Sequence, residues 1–403
     1  MKAVKPFARL LAISLVLGLS LLQGCASTDE ENAAPVIQSI TASDPNPTPG
    51  ETITLTCAAS DADGDALSYL WKANGSEIGE NAASISWQTP SSATTVTISV
   101  EVSDGNEQAQ RSLSVVVGTD EFLLLTGLTD AGFAQWNSGW IKEPTYVYQN
   151  RAELLIVDVR SSGFAAGHIA GAHSVQLANL VDWVAGNNPN GDEIALVCET
   201  GQTSAFAAMG LRMLGHNAFS MKWGMAGWND SYAAPWDAAI SNDYAAAMVT
   251  SSSPQLPNHD WPALNTGLTS AQAILQARVE AIFLEGLVGN AVTAYQVMDD
   301  PGSFNISNYW VQSDYEDIGH IAGSYQVSPG SLTTAIDLSA MHPTEENVLY
   351  CWTGQTSAFT VFYLNALGYS AFSMKFGANA LMYDDLPQNQ WVQTHLNYPV
   401  VSD

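Results

Sequence analysis

Positive charge is scarce in this chain: 12 lysines and arginines stand against 40 acidic residues among 403, a formal net charge of −28. Only nine of those cations lie beyond residue 25. A field of that sign repels phosphate backbones and anionic lipid headgroups, so nucleic acid is not an expected partner. Cysteine is scarcer still. Cys25, Cys57, Cys198 and Cys351 are too widely spread for a disulfide scaffold, and no CxxC or Cys/His cluster has metal-ligand spacing. No metal or other cofactor is expected, and each cysteine needs its own explanation. Charged residues make up 13% against 46% hydrophobic, which excludes a disordered chain. The length exceeds what one core organises and points to two to four domains.

A sustained apolar run occurs at the N-terminus, where Lys2, Lys5 and Arg9 precede residues 10–22. That is a secretory signal, too short and wrongly flanked for a stable membrane span. Its end, Leu22-Gln23-Gly24-Cys25, resembles the bacterial lipoprotein box. The resemblance implies that residues 1–25 are a signal whose Cys25 is lipidated and becomes the first mature residue. Ala26 after it is similar to the pattern of lipoproteins sent to the outer membrane, facing the periplasm or the exterior. The membrane is then touched through the lipid anchor only. Residues 26–34 read as a polar tether.

Between residues 35 and 118, short alternating β-branched segments (VIQSITA, TITLTCAA, LSYLWKA, SISW, TTVTISVEV, RSLSVVV) are separated by Pro, Gly, Asp and Asn. This is the spacing of an all-β sandwich. Asp61-Ala62-Asp63-Gly64-Asp65 ahead of Trp71 resembles the polycystic-kidney (PKD) and immunoglobulin-like domains of secreted bacterial proteins, which implies a spacer or adhesion module. Cys57 lacks a partner cysteine on the later strand and reads as a buried small hydrophobe. The aspartates read as an Asp-Gly turn, because Gly64 comes too early for a calcium loop and no Glu closes it.

The remainder repeats. Thr126-Gly127-Leu128-Thr129 recurs at Thr266–Thr269, Gly167-His168-Ile169-Ala170-Gly171 at Gly319–Gly323, and Phe219-Ser220-Met221-Lys222 at Phe372–Lys375. Cys198-Glu199-Thr200-Gly201-Gln202-Thr203-Ser204 returns as Cys351-Trp352-Thr353-Gly354-Gln355-Thr356-Ser357. The offset grows from 140 to 153, which suggests an insertion between Leu287 and Asp317. Two α/β domains with central parallel sheets are expected, at 119–245 and 264–403, joined by a linker at 246–263 where Ser, Pro and Asn interrupt any pattern. In each, a short apolar run ends at the cysteine, and a six-residue loop then feeds a helix. Loop amides and the helix dipole there favour a thiolate.

These residues resemble the rhodanese family of sulfurtransferases. Leu155-Ile156-Val157-Asp158-Val159-Arg160, the Gly-His-Ile turn, the cysteine loop and Lys222-Trp223-Gly224-Met225-Ala226-Gly227-Trp228 come in the family's order. The resemblance implies Cys198 and Cys351 as catalytic persulfide carriers, Glu199–Ser204 and Trp352–Ser357 as substrate loops, and Asp158 with Arg160 as a supporting ion pair. It implies a small sulfur donor (thiosulfate, polysulfide or persulfide) and a thiol acceptor. The loops carry no cation of their own, which favours a donor of low charge. In the second copy the ion pair is lost. A gapless count puts Trp310 at the place of Asp158 and Gln312 at that of Arg160, and a gapped one puts Asp299 and Pro301 there. Both copies are expected to be competent, the first better organised. His168 and His320 read as turn residues, and Met221, Lys222, Trp223, Met374, Lys375 and Phe376 as candidates for the mouth of each site.

Two other functions remain open. A phosphatase or arsenate reductase shares the fold, but its loop is one residue longer and ends in an arginine that this chain lacks. A non-enzymatic periplasmic thiol redox or binding protein would use the same thiolates. The lipoprotein box generates a direct expectation: the protein fractionates with outer membranes, and Cys25→Ser either releases it or leaves the signal uncleaved. Unchanged membrane association of a processed Cys25→Ser variant would contradict it.

Overall fold

The computed structural model describes residues 32–403 apart from Asn46, Ser92, Ala93 and Thr119. Cys25 and the signal therefore lie outside the described residues. Among the described residues no helix is long and apolar enough to cross a membrane. The chain forms two compact units, one built from the strands up to residue 116 and one from Val117 onward.

The first unit is a β-sandwich. Strands β1 (Val36–Ala42), β2 (Thr52–Ser60), β3 (Ser68–Ala73), β4 (Ser76–Ile78), β5 (Ser84–Gln88), β6 (Thr94–Ser103) and β7 (Gln108–Val117) make sheets ordered β1-β2-β5 and β4-β3-β6-β7. Strict alternation on β2 sends Ile53, Leu55 and Cys57 inward. They join Trp71, which is fully buried and donates its indole N–H to the Ala82 carbonyl at 2.9 Å. Cys57 is unpaired, and burial pushes its thiol pKa up. The Asp61 carboxylate accepts the backbone amides of Asp63 (2.9 Å) and Asp65 (3.3 Å), so it closes its own turn.

The second unit holds both α/β copies. The first runs α1 (Glu121–Trp136), β8 (Ile141–Lys142), α2 (Pro144–Asn150), β9 (Leu155–Asp158), β10 (His173–Ser174), α3 (Leu180–Asn187), β11 (Ile194–Val197), α4 (Gln202–Met213), β12 (Ala218–Met221), α5 (Gly224–Trp228) and α6 (Ala234–Asp237). The second follows with α7 (Ala271–Glu285), β13 (Ala291–Val292), α8 (Ala294–Asp299), β14 (Asn305–Asn308), α9 (Gln312–Ile318), β15 (Tyr325–Gln326), β16 (Glu346–Tyr350), α10 (Gln355–Ala366) and β17 (Ser370–Met374). Both sheets are wholly parallel and share one order, β10-β9-β11-β12-β8 and β15-β14-β16-β17-β13. Every residue of β11 is buried, as expected of a strand covered on both faces.

Three expectations are corrected. Thr126–Thr129 lie inside α1, whereas Thr266–Thr269 precede α7, so that match is not a structural repeat. Thr266 and Gly267 instead donate backbone amides to the Glu121 carboxylate at 2.8 and 2.7 Å. The copies are consequently in register from their first helices, and no dozen-residue insertion separates Leu287 from Asp317. The extra length sits mainly before the Gly-His-Ile turn, where the second copy forms α9. Finally, strand pairing sets Val197 opposite Asp158 and Tyr350 opposite Asn308. Asn308 thus takes the place of Asp158 and Trp310 that of Arg160, and neither sequence count holds. The ion pair is nonetheless lost in the second copy.

The copies exchange straps. Past α6, the chain crosses to the second copy, where Val249 bridges His320 in antiparallel fashion and Ser253 Oγ accepts the Gln326 amide. The C-terminal segment returns to the first, where Val401 bridges His168 and Tyr398 stacks flat on Tyr148 at 4.0 Å. Residues assigned by sequence to the second α/β domain therefore help to bury the first. Both histidines donate Nδ1–H to a nearby carbonyl, Phe164 at 3.0 Å and Tyr315 at 2.8 Å, as turn residues.

Burial pushes the pKa of His320 down against weaker opposition from the Tyr315 carbonyl and Glu316. Burial does the same at His216 and, with the His342 charge, at His259. These groups bind protons less readily folded than unfolded, so their contribution is complete above the unfolded value of about 6.5 and is lost as pH falls below it. Thermal unfolding followed from pH 7.5 to 5 should show the melting temperature falling, and His320→Gln should flatten that slope. A slope unchanged by the substitution would contradict the assignment of the effect to His320.

Candidate active site

Cys198 follows β11 directly, and α4 begins at Gln202, so the helix starts earlier than the sequence suggested and its first turn becomes part of the cradle. Gly201 makes this tight return possible with φ of 84°. The Cys198 Sγ is buried and receives the backbone amides of Gly201 at 3.1 Å and Ser204 at 3.3 Å, with Ser204 Oγ 3.3 Å away. Ser204 Oγ lies 2.8 Å from Ser220 Oγ, and both hydroxyls reach the Gly201 carbonyl at 3.2 and 3.3 Å. Amides converging on one sulfur stabilise its anion, whether thiolate or persulfide.

The second loop repeats this arrangement with one amide fewer at bonding distance. Cys351 Sγ receives Ser357 N at 3.3 Å and lies 3.6 Å from Ser357 Oγ, and Ser357 Oγ lies 2.8 Å from Ser373 Oγ. Ser220 and Ser373 were not singled out from sequence, although both sit in the repeated Phe-Ser-Met-Lys segment that would have revealed them. Gly224 and Gly377 were missed in the same way. Each buttresses its loop from behind: a Cβ on Gly224 would stand 2.4 Å from the Cys198 carbonyl oxygen, and one on Gly377 2.1 Å from that of Cys351. The carbonyls of Cys198 and Glu199 accept the amides of Met225 and Ala226.

The rims differ. In the first copy Arg160 clasps Asp158 through Nε at 3.0 Å and Nη2 at 2.6 Å, and it also donates to the Gly167 carbonyl. Burial works against its charge, yet the Asp158 bonds and charge, with that of Glu199, outweigh burial and hold its pKa above the ordinary value. A cavity of about 340 Å³ opens there, lined by Cys198, Arg160, Glu199 and Thr203, and by Leu284, Leu287 and Val288 of the second copy. In the second copy, Trp310 and Trp352 occupy the places of Arg160 and Glu199 and stack at 4.1 Å. The cavity beside that loop, about 240 Å³, is lined by Trp352, Thr353, Gln355 and Thr356, and its lining does not include Cys351.

Other expected site residues face elsewhere. Thr200 uses its carbonyl to accept the Trp236 indole N–H at 3.1 Å and its hydroxyl to accept from Gln202 Nε2. Gln202 Oε1 accepts the Phe376 amide at 2.9 Å and Gln355 Oε1 the Trp223 amide at 3.0 Å. The loop glutamines therefore reach across to the other copy rather than into their own cavity. Met221 and Met374 are core residues, while Trp223 and Phe376 pack with Trp236 and Trp391 between the copies. Lys222 pairs with Glu143 at 2.8 Å. Among the described residues no cluster of His, Cys, Asp and Glu could hold a metal ion.

Because Gly224 has φ of 62° and no room for a Cβ, Gly224→Ala should displace the loop and slow alkylation of Cys198 by iodoacetamide in the folded protein at least tenfold. Peptide mapping of the labelled cysteines reads this directly, and an unchanged rate would refute the buttress role.

Comparison with known proteins locates two families. The bacterial Ig domain matches residues 32–116, and the rhodanese-like domain matches residues 143–231, within the first α/β copy. None of the curated proteins matches the chain. Among solved structures, a rhodanese-related protein from Thermoplasma volcanium is 24% identical over 22% of this chain and 87% of its own, with a TM-score of 0.21. A rhodanese-like domain protein from Staphylococcus aureus is 26% identical over 22% and 90%, also at 0.21. The PKD1 domain of Vibrio anguillarum Epp is 25% identical over 22% and 99%, at 0.19. The chain thus carries an N-terminal bacterial Ig domain and, following it, a rhodanese-like domain with a parallel sheet.

Proposed function

We propose that this protein is an exported, lipid-anchored sulfurtransferase or sulfane-sulfur carrier in which Cys198 is the principal sulfur acceptor. The observation that carries the reading is the Cys198 sulfur itself, held by two amides and opening onto a cavity. The thiolate attacks the outer sulfur of a persulfide, polysulfide or thiosulfate; the new S–S bond leaves Cys198 as a persulfide, and the donor departs as thiolate, shortened polysulfide or sulfite. An acceptor thiolate then attacks the terminal sulfur, taking it and regenerating the Cys198 thiolate. The Gly201 and Ser204 amides stabilise the anion on the enzyme before and after transfer.

The second copy reads as a further domain of the same type, supported by its identical sheet order and its Ser357–Ser373 cradle. Cys351 is a secondary carrier in this reading, because Trp310 and Trp352 replace the charged rim. The Ig domain is a spacer or adhesion module in this reading.

Cys198→Ser should remove most of the transfer from polysulfide to a thiol, and Cys351→Ser a smaller share. Intact mass after polysulfide treatment should show added sulfur that Cys198→Ser largely removes, with the smaller remainder lost when Cys351→Ser is combined with it. Transfer unaffected by either substitution would overturn the sulfurtransferase reading in favour of a thiol-binding protein.

A further inference from the structure

Gln355 opens α10 and is 1% exposed, yet its side chain uses only one of its polar atoms among the described residues. Its Oε1 accepts the backbone amide of Trp223, in the other copy, at 3.0 Å, while its Nε2 has no partner. A methionine or leucine would fill the same buried place without an unmet donor, so packing alone does not account for a glutamine here. The bond to Trp223 does. Trp223 has φ of 64°, a left-handed backbone that a tryptophan rarely adopts. Gly224, which follows, lies so close to the first cysteine loop that a Cβ on it would stand 2.6 Å from the Gly201 nitrogen. That nitrogen carries the amide that reaches Cys198 Sγ at 3.1 Å. Gln355 Oε1 also lies against the Gly201 α-carbon, where a Cβ would collide with it. The mirror arrangement is present too. Gln202 Oε1 accepts the Phe376 amide at 2.9 Å, Phe376 has φ of 62°, and a Cβ on Gly377 would stand 2.8 Å from the Gly354 nitrogen.

From this reciprocity we propose that each loop glutamine is a positioning residue for the cysteine of the other copy, Gln355 for Cys198 and Gln202 for Cys351. The inference rests on the sulfurtransferase reading for what the sulfur does and on geometry for what holds it in place. Neither glutamine bonds the sulfur it serves. Each holds the left-handed turn that presses on the opposite loop, and through that turn it aims the loop amides. The Cys198 site is then incomplete without the second copy. Gln355 is absent from the lining of the cavity above Cys198, so it governs the reactivity of the sulfur and not the affinity for a donor. Small displacements of a reacting group are enough for a large effect on rate.

Iodoacetamide labelling of the folded full-length protein in detergent, read for each cysteine by peptide mapping, tests the crossing. Gln355→Met should slow labelling of Cys198 about tenfold and that of Cys351 by less than about twofold, and Gln202→Met should do the opposite. A glutamine that only shaped its own loop would give the uncrossed pattern, and general loosening would speed labelling of both buried cysteines. Either result, or no change in either variant, overturns the proposal. Should Gln355→Met fail to fold, Gln202→Met decides from the other side. In single-turnover loading by polysulfide, Gln355→Met should lower the limiting rate about tenfold and leave the half-saturating concentration within about twofold. A raised half-saturating concentration at an unchanged limiting rate would assign Gln355 to donor binding and overturn its positioning role. Labelling requires no sulfur transfer, so a crossed pattern in a protein that transfers none would uphold this role and remove the sulfurtransferase reading. Transfer through Cys198 with an uncrossed pattern would do the reverse.

Discussion

The structure of the α/β unit depends on the packing of α4 against α10, the helices that follow the two cysteine loops. Both are almost wholly buried, which a surface helix of an α/β domain is not. Phe206 meets Phe362 edge to face at 4.8 Å, and Gly210 makes the approach possible, since a Cβ there would stand 2.5 Å from Phe283 and Phe362. The helix N-termini that cradle the sulfurs are therefore fixed by the contact between copies. Gln202 and Gln355 complete the constraint, each capping the turn after the other copy's final strand. A movement of one loop is felt directly by the Trp223 or Phe376 turn that buttresses the other.

That shared frame explains how two nearly identical cradles can have unlike surroundings. The sulfur sites are set by backbone and by paired serines, which both copies keep. The rims are set by side chains free to diverge: Arg160 and Glu199 in one, Trp310 and Trp352 in the other. A stacked aromatic pair stands where the first copy has two charged residues, so the second rim carries no charge at these places. Each cavity borrows a wall from the opposite copy, apolar in one case and of mixed character in the other. The strap exchange reinforces this dependence, because each Gly-His-Ile turn is closed by a segment reaching it from the other copy's final elements.

Much was legible along the chain. The alternation of Ile53, Leu55 and Cys57 announced a sandwich strand, and the buried run ending at Cys198 announced a parallel strand feeding a helix. These patterns are local, with periods of a few residues, so the chain displays them directly. The repeated loop likewise located both sulfurs. Register between the copies was not legible, because the Thr-Gly-Leu-Thr match was a coincidence of composition, and only strand pairing set Asn308 against Asp158.

The sequence by itself determined the element types, the two cysteine loops, the scarcity of positive charge and the loss of the ion pair in the second copy. The tertiary structure decided what each loop residue faces: that the glutamines cross to the other copy, that Ser220 and Ser373 support the sulfurs, and that Lys142 and Lys222 line a cavity beside a loop some 130–210 residues later in the chain. The physical reason is range. Hydrogen-bonding and apolar periodicity act between near neighbours and leave a mark on sequence, whereas a side chain's partner across a packed interface is chosen by the meeting of two surfaces, which no local pattern encodes.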